Sequence, residues 1–320
     1  MMALSPLIRT ILAFLVALTD DRDIRKEPIY SSRQGGNVLV NVFQDTGIMG
    51  VPTLLSGLLL AVSPASRARA RARLADSLGT HSSPASNSSP SCFTDSDMDY
   101  SDRLWRLPSS AVSTAILALK VLNNAARIDV KLLQTQLSST GSDLETYHII
   151  EHLLGHVAGC IPRVPNAVND ISSNGTLKLR AIPWDASHEL LAELMLLIGY
   201  LCYGNPKMQE LVHWGHSPTP LQRICRMPFR LFIHPTDRDI ILPTLLCCLD
   251  NCPTNRIIIT TELDSSFLIQ YIRERRQQRD PWEEISPHKT PSYFELHNRL
   301  SSSQLEHALM QLSDGTVSND

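Results

Sequence analysis

A chain of 320 residues with 43% hydrophobic content can bury a substantial core, and its length allows one extended array or two domains. A formal charge of −3 gives no general attraction to nucleic acid or an anionic membrane, which leaves only local patches to bind either. Seven cysteines, an odd number mostly within apolar runs and without Cys-x-x-Cys or Cys/His spacing, fit reduced thiols packed as small hydrophobes and give no zinc site.

The first apolar run, Thr10–Thr19, is too short for a bilayer, which needs about 20 residues. Asp20, Asp21 and Asp23 follow it without a small-x-small cleavage pattern, so it reads as an array helix rather than a signal peptide. Asn37–Phe43 is a short helix by context, although its β-branched residues also suit a strand. Gly47–Leu55 places a proline-led helix behind a glycine break. From 63 to 108 the composition turns to Ser, Pro, Asp and Arg, the signature of a disordered insertion. Arg67, Arg69, Arg71 and Arg73 within it would scatter around a helix, which favours a solvated linker over an RNA contact. Serines between His81 and Ser101 offer phosphorylation sites.

Ala111–Ala126, Asp129–Leu137 and His148–Val157 follow as a long helix, a short one and a third, and 162–183 is a second loop. Asn87-Ser88-Ser89 and Asn174-Gly175-Thr176 match the glycosylation triplet but read as polar turns in a cytosolic chain. Leu190–Tyr203 is apolar all round, as in a helix packed on several sides. Gly204 ends it, Asn205 is placed to cap the next helix through its side chain, and Pro206 suits the first helical position. Gln209, Leu211, Val212 and Trp214 fill that short helix, Gly215 closes it, and behind Pro218 a third helix carries Leu221, Ile224 and Cys225 up to Pro228. The pattern restarts with Asp239–Leu249, bent at Pro243, the break Asn251-Cys252-Pro253, a short helix Arg256–Thr260, and a third helix capped by Asp264. From Leu201 to Leu249 is 48 residues, near the 40 to 47 of armadillo and HEAT units. The expectation is an all-α, armadillo/HEAT-like helical solenoid with a long disordered insertion: N-terminal helices of the array in 1–62, the insertion in 63–108, the array proper in 109–312 and a disordered tail in 313–320. Gly204, Asn205, Pro206, Gly215, Pro218, Asn251 and Pro253 are its structural signature.

No catalytic or metal site emerges. His148, His152 and His156 share a helical face, but without a carboxylate or cysteine to complete a metal site they read as a partly buried stripe. Cys247-Cys248 beside Asp250 reads as core. With no Gly-x-Ser-x-Gly, phosphate-cradling loop or carboxylate pair, a non-enzymatic scaffold without cofactor or metal is expected. Its third helices should form a groove. Gln222, Arg223, Arg226 and Arg230 are the candidate partner-binding residues, suited to an acidic peptide or phosphate, with a merely solvated face as the alternative. Arg273, Arg275, Arg276 and Arg279 with Trp282 read as an exposed helical cap over the last apolar face. A direct RNA-binding repeat and a metal-dependent hydrolase are the other functions to weigh.

Leu190–Glu274, and more weakly Tyr293–Leu312, resembles the C-terminal helical region of the family of S phase cyclin A-associated protein in the endoplasmic reticulum. The residues that carry this are Gly199-Tyr200, Asn205-Pro206, Gln209, Val212, Gly215, Pro218-Thr219, Leu221-Gln222, Cys225 and Pro228-Phe229, then Asn255 with Ile257-Ile258. Fainter matches are Asp45-Thr46-Gly47-Ile48, Leu153-Leu154-Gly155-His156 and Tyr293-Phe294-Glu295-Leu296 with Asn298-Arg299. The resemblance implies an adaptor in tubulin mRNA autoregulation, working with ribosomes, a tetratricopeptide-repeat recognition factor and a deadenylase. It also implies links to cyclin A, cell-cycle control and the cytosolic face of the endoplasmic reticulum. The family's zinc finger lies outside its C-terminal region, and neither it nor the cyclin-binding part has a counterpart here.

Overall fold

Each apolar run named above that falls among the described residues folds as an α-helix. The computed structural model describes residues 4–19, 50–62, 107–138, 141–161, 186–278 and 295–313, and no strand occurs among them. The helices are α1 (Leu4–Thr19), α2 (Gly50–Val62), α3 (Ser109–Ile128), α4 (Val130–Leu137), α5 (Ser142–Cys160), α6 (Ala186–Cys202) and α7 (Pro206–His213). They continue with α8 (Pro220–Cys225), α9 (Arg230–Ile233), α10 (Pro235–Leu249), α11 (Pro253–Glu262), α12 (Ser266–Gln278), α13 (Glu295–Arg299) and α14 (Ser302–Ser313). Asn37–Phe43, Arg67 to Arg73, the serines from His81 to Ser101, both glycosylation triplets, the loop 162–183, Arg279 and Trp282 lie outside the described residues. So do the expected insertion up to residue 106 and the tail from 314.

A long helix, a short helix and a third helix recur three times, as α3–α4–α5, α6–α7–α8 and α10–α11–α12. The long helices lie side by side in chain order, α1 against α3, α3 against α6 and α6 against α10. Because α6 has neighbours on both sides, every residue from Leu190 to Cys202 is buried, as its unbroken apolar character requires. Ile240–Leu249 of α10 is equally enclosed. The run Thr10–Thr19 belongs to α1, whose Leu12 is 2% exposed in the common core. Helix α2 packs on α3 and α5 through Val51, Leu55 and Leu59.

Both long helices end in a left-handed residue, Gly204 at φ 56° and Asn251 at φ 58°, and Asn is among the few side chains that tolerate this. Pro206 and Pro253 then open the short helices, where no N–H is needed. The expected side-chain cap from Asn205 does not form: its backbone is extended as an N-cap's should be, yet its side chain makes no hydrogen bond to α7. Several boundaries also differ, among them that of α5, which starts at Ser142 rather than His148. Helix α10 starts at Pro235 rather than Asp239, again with proline at the first position; α11 runs from Pro253 to Glu262; and α8 stops at Cys225, with Arg226 as its C-cap. Asp264 does cap α12, its Oδ1 accepting from the Ser266 N–H at 2.9 Å.

The last carbonyls of α6 and α10 have no N–H partner within their own helices, and they are shut away from water. Backbone N–H groups just past each helix serve some of them, that of Asn205 for Cys202 (3.2 Å) and that of Cys252 for Leu249 (3.1 Å), and amide side chains from the short helices add further donors. Gln134 of α4 donates to the carbonyls of Tyr200 (2.8 Å) and Tyr203 (2.7 Å). Gln209 of α7 donates to Cys202 (3.0 Å) and to Cys247 of the following unit (2.9 Å). Asn255 of α11 donates to Cys248 and to Gln209, both at 2.8 Å. Higher up, Asn123 donates to the Glu193 carbonyl (2.9 Å) and carboxylate (2.8 Å), and the Thr244 hydroxyl to the Met195 carbonyl (2.9 Å). Each unit is thereby bonded to the next through its own capping groups.

Gln209→Leu keeps the volume but leaves the Cys202 and Cys247 carbonyls without this donor, while also removing a buried Oε1 that has no hydrogen-bond partner. Weighing those opposed effects, the variant should lose about 1–3 kcal/mol in urea unfolding with an unchanged slope. A midpoint equal to that of the unmodified chain would show that Gln209 adds no net stability.

Candidate partner-binding surface

The third-helix side of the second unit is built around a local capping motif. The Thr219 hydroxyl accepts from the Gln222 N–H (3.3 Å) while Gln222 Oε1 accepts from the Thr219 N–H (3.0 Å), and Pro220 opens the helix between them. Gln222 is thereby fixed, and its Nε2 reaches Glu262 of α11 at 3.2 Å. Arg226 meets the same carboxylate with two prongs, Nε to Oε2 at 2.8 Å and Nη2 to Oε1 at 2.6 Å. That bond holds the Glu262 carboxyl below its ordinary range and ties α8 to α11. Arg223 donates through Nε to the Pro218 carbonyl (3.1 Å) and lies close enough to Tyr147 of α5 for its charge to lower that phenol's pKa. Burial and the Glu151 carboxylate act the other way, and the Tyr147 hydroxyl is raised on balance.

The three arginines do not share one helix, because α8 ends at Cys225, ahead of Pro228, and the chain restarts in α9 at Arg230. Arg223 and Arg226 remain together on α8. Arg230 opens α9, its Nε and Nη2 buried without hydrogen-bond partners and its charge felt by Asp237, whose carboxyl is raised chiefly by burial.

Two exposed aromatics lie on this side, of which the apolar pattern assigned Trp214 to the face of the short helix. Trp214 is the C-cap of α7 rather than part of its apolar face, is 55% exposed, and meets Tyr147 edge to face at 5.5 Å. Phe229 is 57% exposed and meets Phe267 of α12 in the same way at 5.0 Å. Two aromatic pairs and two arginines thus lie on the third-helix side: Tyr147 of α5 with Trp214 and the charge of Arg223, Arg226 bound to α11, and Phe229 on Phe267 of α12. Trp, Tyr and Arg are the residue types that dominate binding energy at protein interfaces. Gly215 makes the junction possible: its φ is +94°, and a β-carbon there would strike the Tyr147 hydroxyl.

The histidines of α5 take different roles. His156 is buried, its Nδ1 accepting from the Leu107 N–H (3.1 Å), while His152 Nδ1 pairs with the His148 carbonyl (3.1 Å). No group of three His, Cys, Asp or Glu side chains among the described residues could hold a metal. Cys202, Cys247 and Cys248 are buried in the core, and burial lifts the Cys247 thiol well above its usual range. The expected arginine cap on α12 is also different: Arg275 binds Asp239 (3.2 Å) and lies over Tyr271, and Arg276 binds Glu306 (3.6 Å). The surface beyond α12 is covered by α14, with Leu305, Ala308 and Leu312 buried. No helix among the described residues is long and apolar enough to cross a membrane.

No family model matches the chain. It is similar to human S phase cyclin A-associated protein in the endoplasmic reticulum, 24% identical over 206 residues. The match covers 62% of this chain and 13% of the relative, so the chain spans a small part of that protein's length.

Two outcomes are expected of this surface. The lowered Glu262 carboxyl contributes stability that is complete above its ordinary value of 4.5 and is lost as pH falls through the folded-state value, so Glu262→Gln should flatten the acid limb of the stability–pH curve below pH 4.5. An acid limb identical to that of the unmodified chain would remove the ion pair from the account. Gly215→Val should cost about 1–3 kcal/mol in thermal unfolding and shift Trp214 fluorescence as Tyr147 is displaced. An unchanged melting temperature and spectrum would contradict the Gly215–Tyr147–Trp214 packing.

Proposed function

We propose that this chain is a non-enzymatic adaptor built as an armadillo-like helical solenoid, and that the aromatic and arginine side chains on its third-helix side are where a protein partner docks. The observation that carries this is the exposure of Trp214 and Phe229 beside Arg223 and Arg226, each held in place by intramolecular contacts rather than left to fluctuate. Preorganised aromatic and guanidinium groups suit an acidic peptide with apolar anchors, since the ordering cost is met before binding. Three repeated three-helix units linked by buried amide bonds support the solenoid reading.

The similarity to S phase cyclin A-associated protein in the endoplasmic reticulum supports placing the adaptor in the same setting. There it would serve tubulin mRNA autoregulation, bridging ribosomes that translate tubulin, a tetratricopeptide-repeat recognition factor and a deadenylase complex on the cytosolic side of the endoplasmic reticulum. A cyclin A link belongs to the relative's name and extends to this chain as part of the same proposal.

The test separates recognition from folding. Arg226→Glu combined with Glu262→Arg reverses the outward charge while retaining the ion pair, and Trp214→Ala with Arg223→Glu removes the anchor beside it. In cells lacking the endogenous protein, the unmodified chain should restore tubulin message decay after microtubule depolymerisation, with ribosomes and deadenylase subunits recovered alongside it. Both variants should keep their helical circular dichroism and lose the recovery. Full restoration by well-folded variants would move the docking surface elsewhere, and failure of the unmodified chain itself would remove the tubulin role.

A further inference from the structure

Helix α1 stands first in the row of long helices among the described residues, and one of its sides packs on α3 while another is bare. Leu12 is buried in the common core, with Ile8, Leu15 and Val16 packed around it. Leu7, Ile11 and Phe14, in contrast, are 58%, 49% and 64% exposed. At about 100° per residue these three fall within about 60° of one another on the helix surface, and the centre of their stripe lies about 130° round from Leu12. Helix α6 shows what a filled position in the row looks like. It is flanked by α3 and α10, and every residue from Leu190 to Cys202 is buried.

What fills such a position within the row is another long apolar helix, and the stripe suits that occupant better than it suits a lipid surface. Helices that lie on membranes carry Lys and Arg along a strongly charged polar face. Helix α1 has one charged residue, Arg9, and it lies roughly 140–160° round from each of the three stripe residues. Thr10, at the edge of the stripe, donates its hydroxyl to the Pro6 carbonyl at 2.9 Å, so a helix can cover it without stranding a donor. The stripe also matches itself. Leu7 and Phe14 are two turns apart with Ile11 between them, so against an antiparallel second copy Leu7 meets the copy's Phe14, Phe14 meets its Leu7, and the two Ile11 side chains meet in the middle. Arg9 of each copy stays outside the contact.

We infer that the bare face of α1 is a self-association surface, on which two copies of this chain pair their α1 helices antiparallel across a two-fold axis near Ile11, each filling the position left open in the other. The inference is independent of the adaptor reading. Three side chains supply only part of the about 800 Å² per partner that a standard interface buries, so the dimer is a weak one that forms in the micromolar range. Pairing doubles whatever surface each copy presents, which raises avidity for a repeated partner.

Sedimentation velocity of the full chain from about 1 to about 100 μM tests this. The unmodified chain should pass from monomer to dimer across that range. Leu7→Glu and Phe14→Lys should each stay monomeric with helical circular dichroism retained, since both positions are exposed. An equimolar mixture of the two should regain association, because antiparallel pairing sets the introduced carboxylate against the introduced ammonium. A chain that is monomeric at the highest concentration would overturn the inference, and its flotation with phosphatidylcholine–phosphatidylserine vesicles would assign the stripe to lipid instead. Dimers that persist in both single variants, or a mixture that stays monomeric, would overturn the antiparallel α1 pairing. Ile11→Cys gives a reading that does not depend on introduced charge: with copper–phenanthroline as oxidant it should form a disulfide-linked dimer that Arg9→Cys does not, and equal cross-linking of the two would also overturn the pairing.

Discussion

The carbonyls at the buried ends of α6 and α10 impose the constraint from which the packing follows. A helix on the surface can leave its last carbonyls to water, but α6 is enclosed from Leu190 to Cys202 and has no such recourse. The left-handed turns at Gly204 and Asn251 bring α7 and α11 back across these ends, where Gln209 and Asn255 present their amides, and Gln134 reaches the end of α6 from α4. Gln209 and Asn255 sit on equivalent short helices of successive units, and Gln209 bonds to both long helices at once. Short-helix position, unit spacing and burial of the long helices are therefore one condition. Changing the rotation between units would strand buried carbonyls, so the polar ladder selects among arrangements that apolar packing alone would leave close in energy.

Helix α8, six residues long, leaves part of its surroundings uncovered. Trp214 and Phe229 stay exposed there because the elements that carry them end: Trp214 follows the last turn of α7, and Phe229 lies in the link to α9. Their orientation is nevertheless fixed by edge contacts to Tyr147 and Phe267, and Arg226 is fixed by Glu262. Exposed ion pairs of this kind add little stability, on the order of 1 kcal/mol or less. Their larger effect is to hold a charged side chain in one geometry, which lowers the entropy cost of recognition.

At the far end, α13 and α14 cover what the repeats leave open. Helix α14 buries three side chains against α11 and α12, and Gln304 and His307 meet Asp250 beyond the end of α10. The terminal helices thus perform the covering expected of the arginines on α12, whose guanidinium groups instead bind Asp239 and Glu306. A terminal unit must hide its last apolar face, and here leucines do so while arginines set the register between helices.

Periodicity and helix punctuation were enough to determine the all-helical class, the three-part rhythm and the breaks at Gly204-Asn205-Pro206 and Asn251-Cys252-Pro253. These depend on local backbone preferences: glycine and asparagine tolerate φ > 0, and proline suits a first turn. The capping box at Thr219 was equally local, yet the side-chain cap expected of Asn205 did not form. Which side the arginines faced was decided only in three dimensions, because Arg226 finds Glu262 thirty-six positions away and Arg230 begins a separate helix. Trp214 read as part of an apolar helix face, since the pattern could not show that α7 stops one residue before it. Gln209 was legible as a residue of the short helix but not as a bond between units, and Gly199 carried no sign of the Leu296 it accommodates. Those meetings join residues distant along the chain, and only the packed long helices bring them within reach.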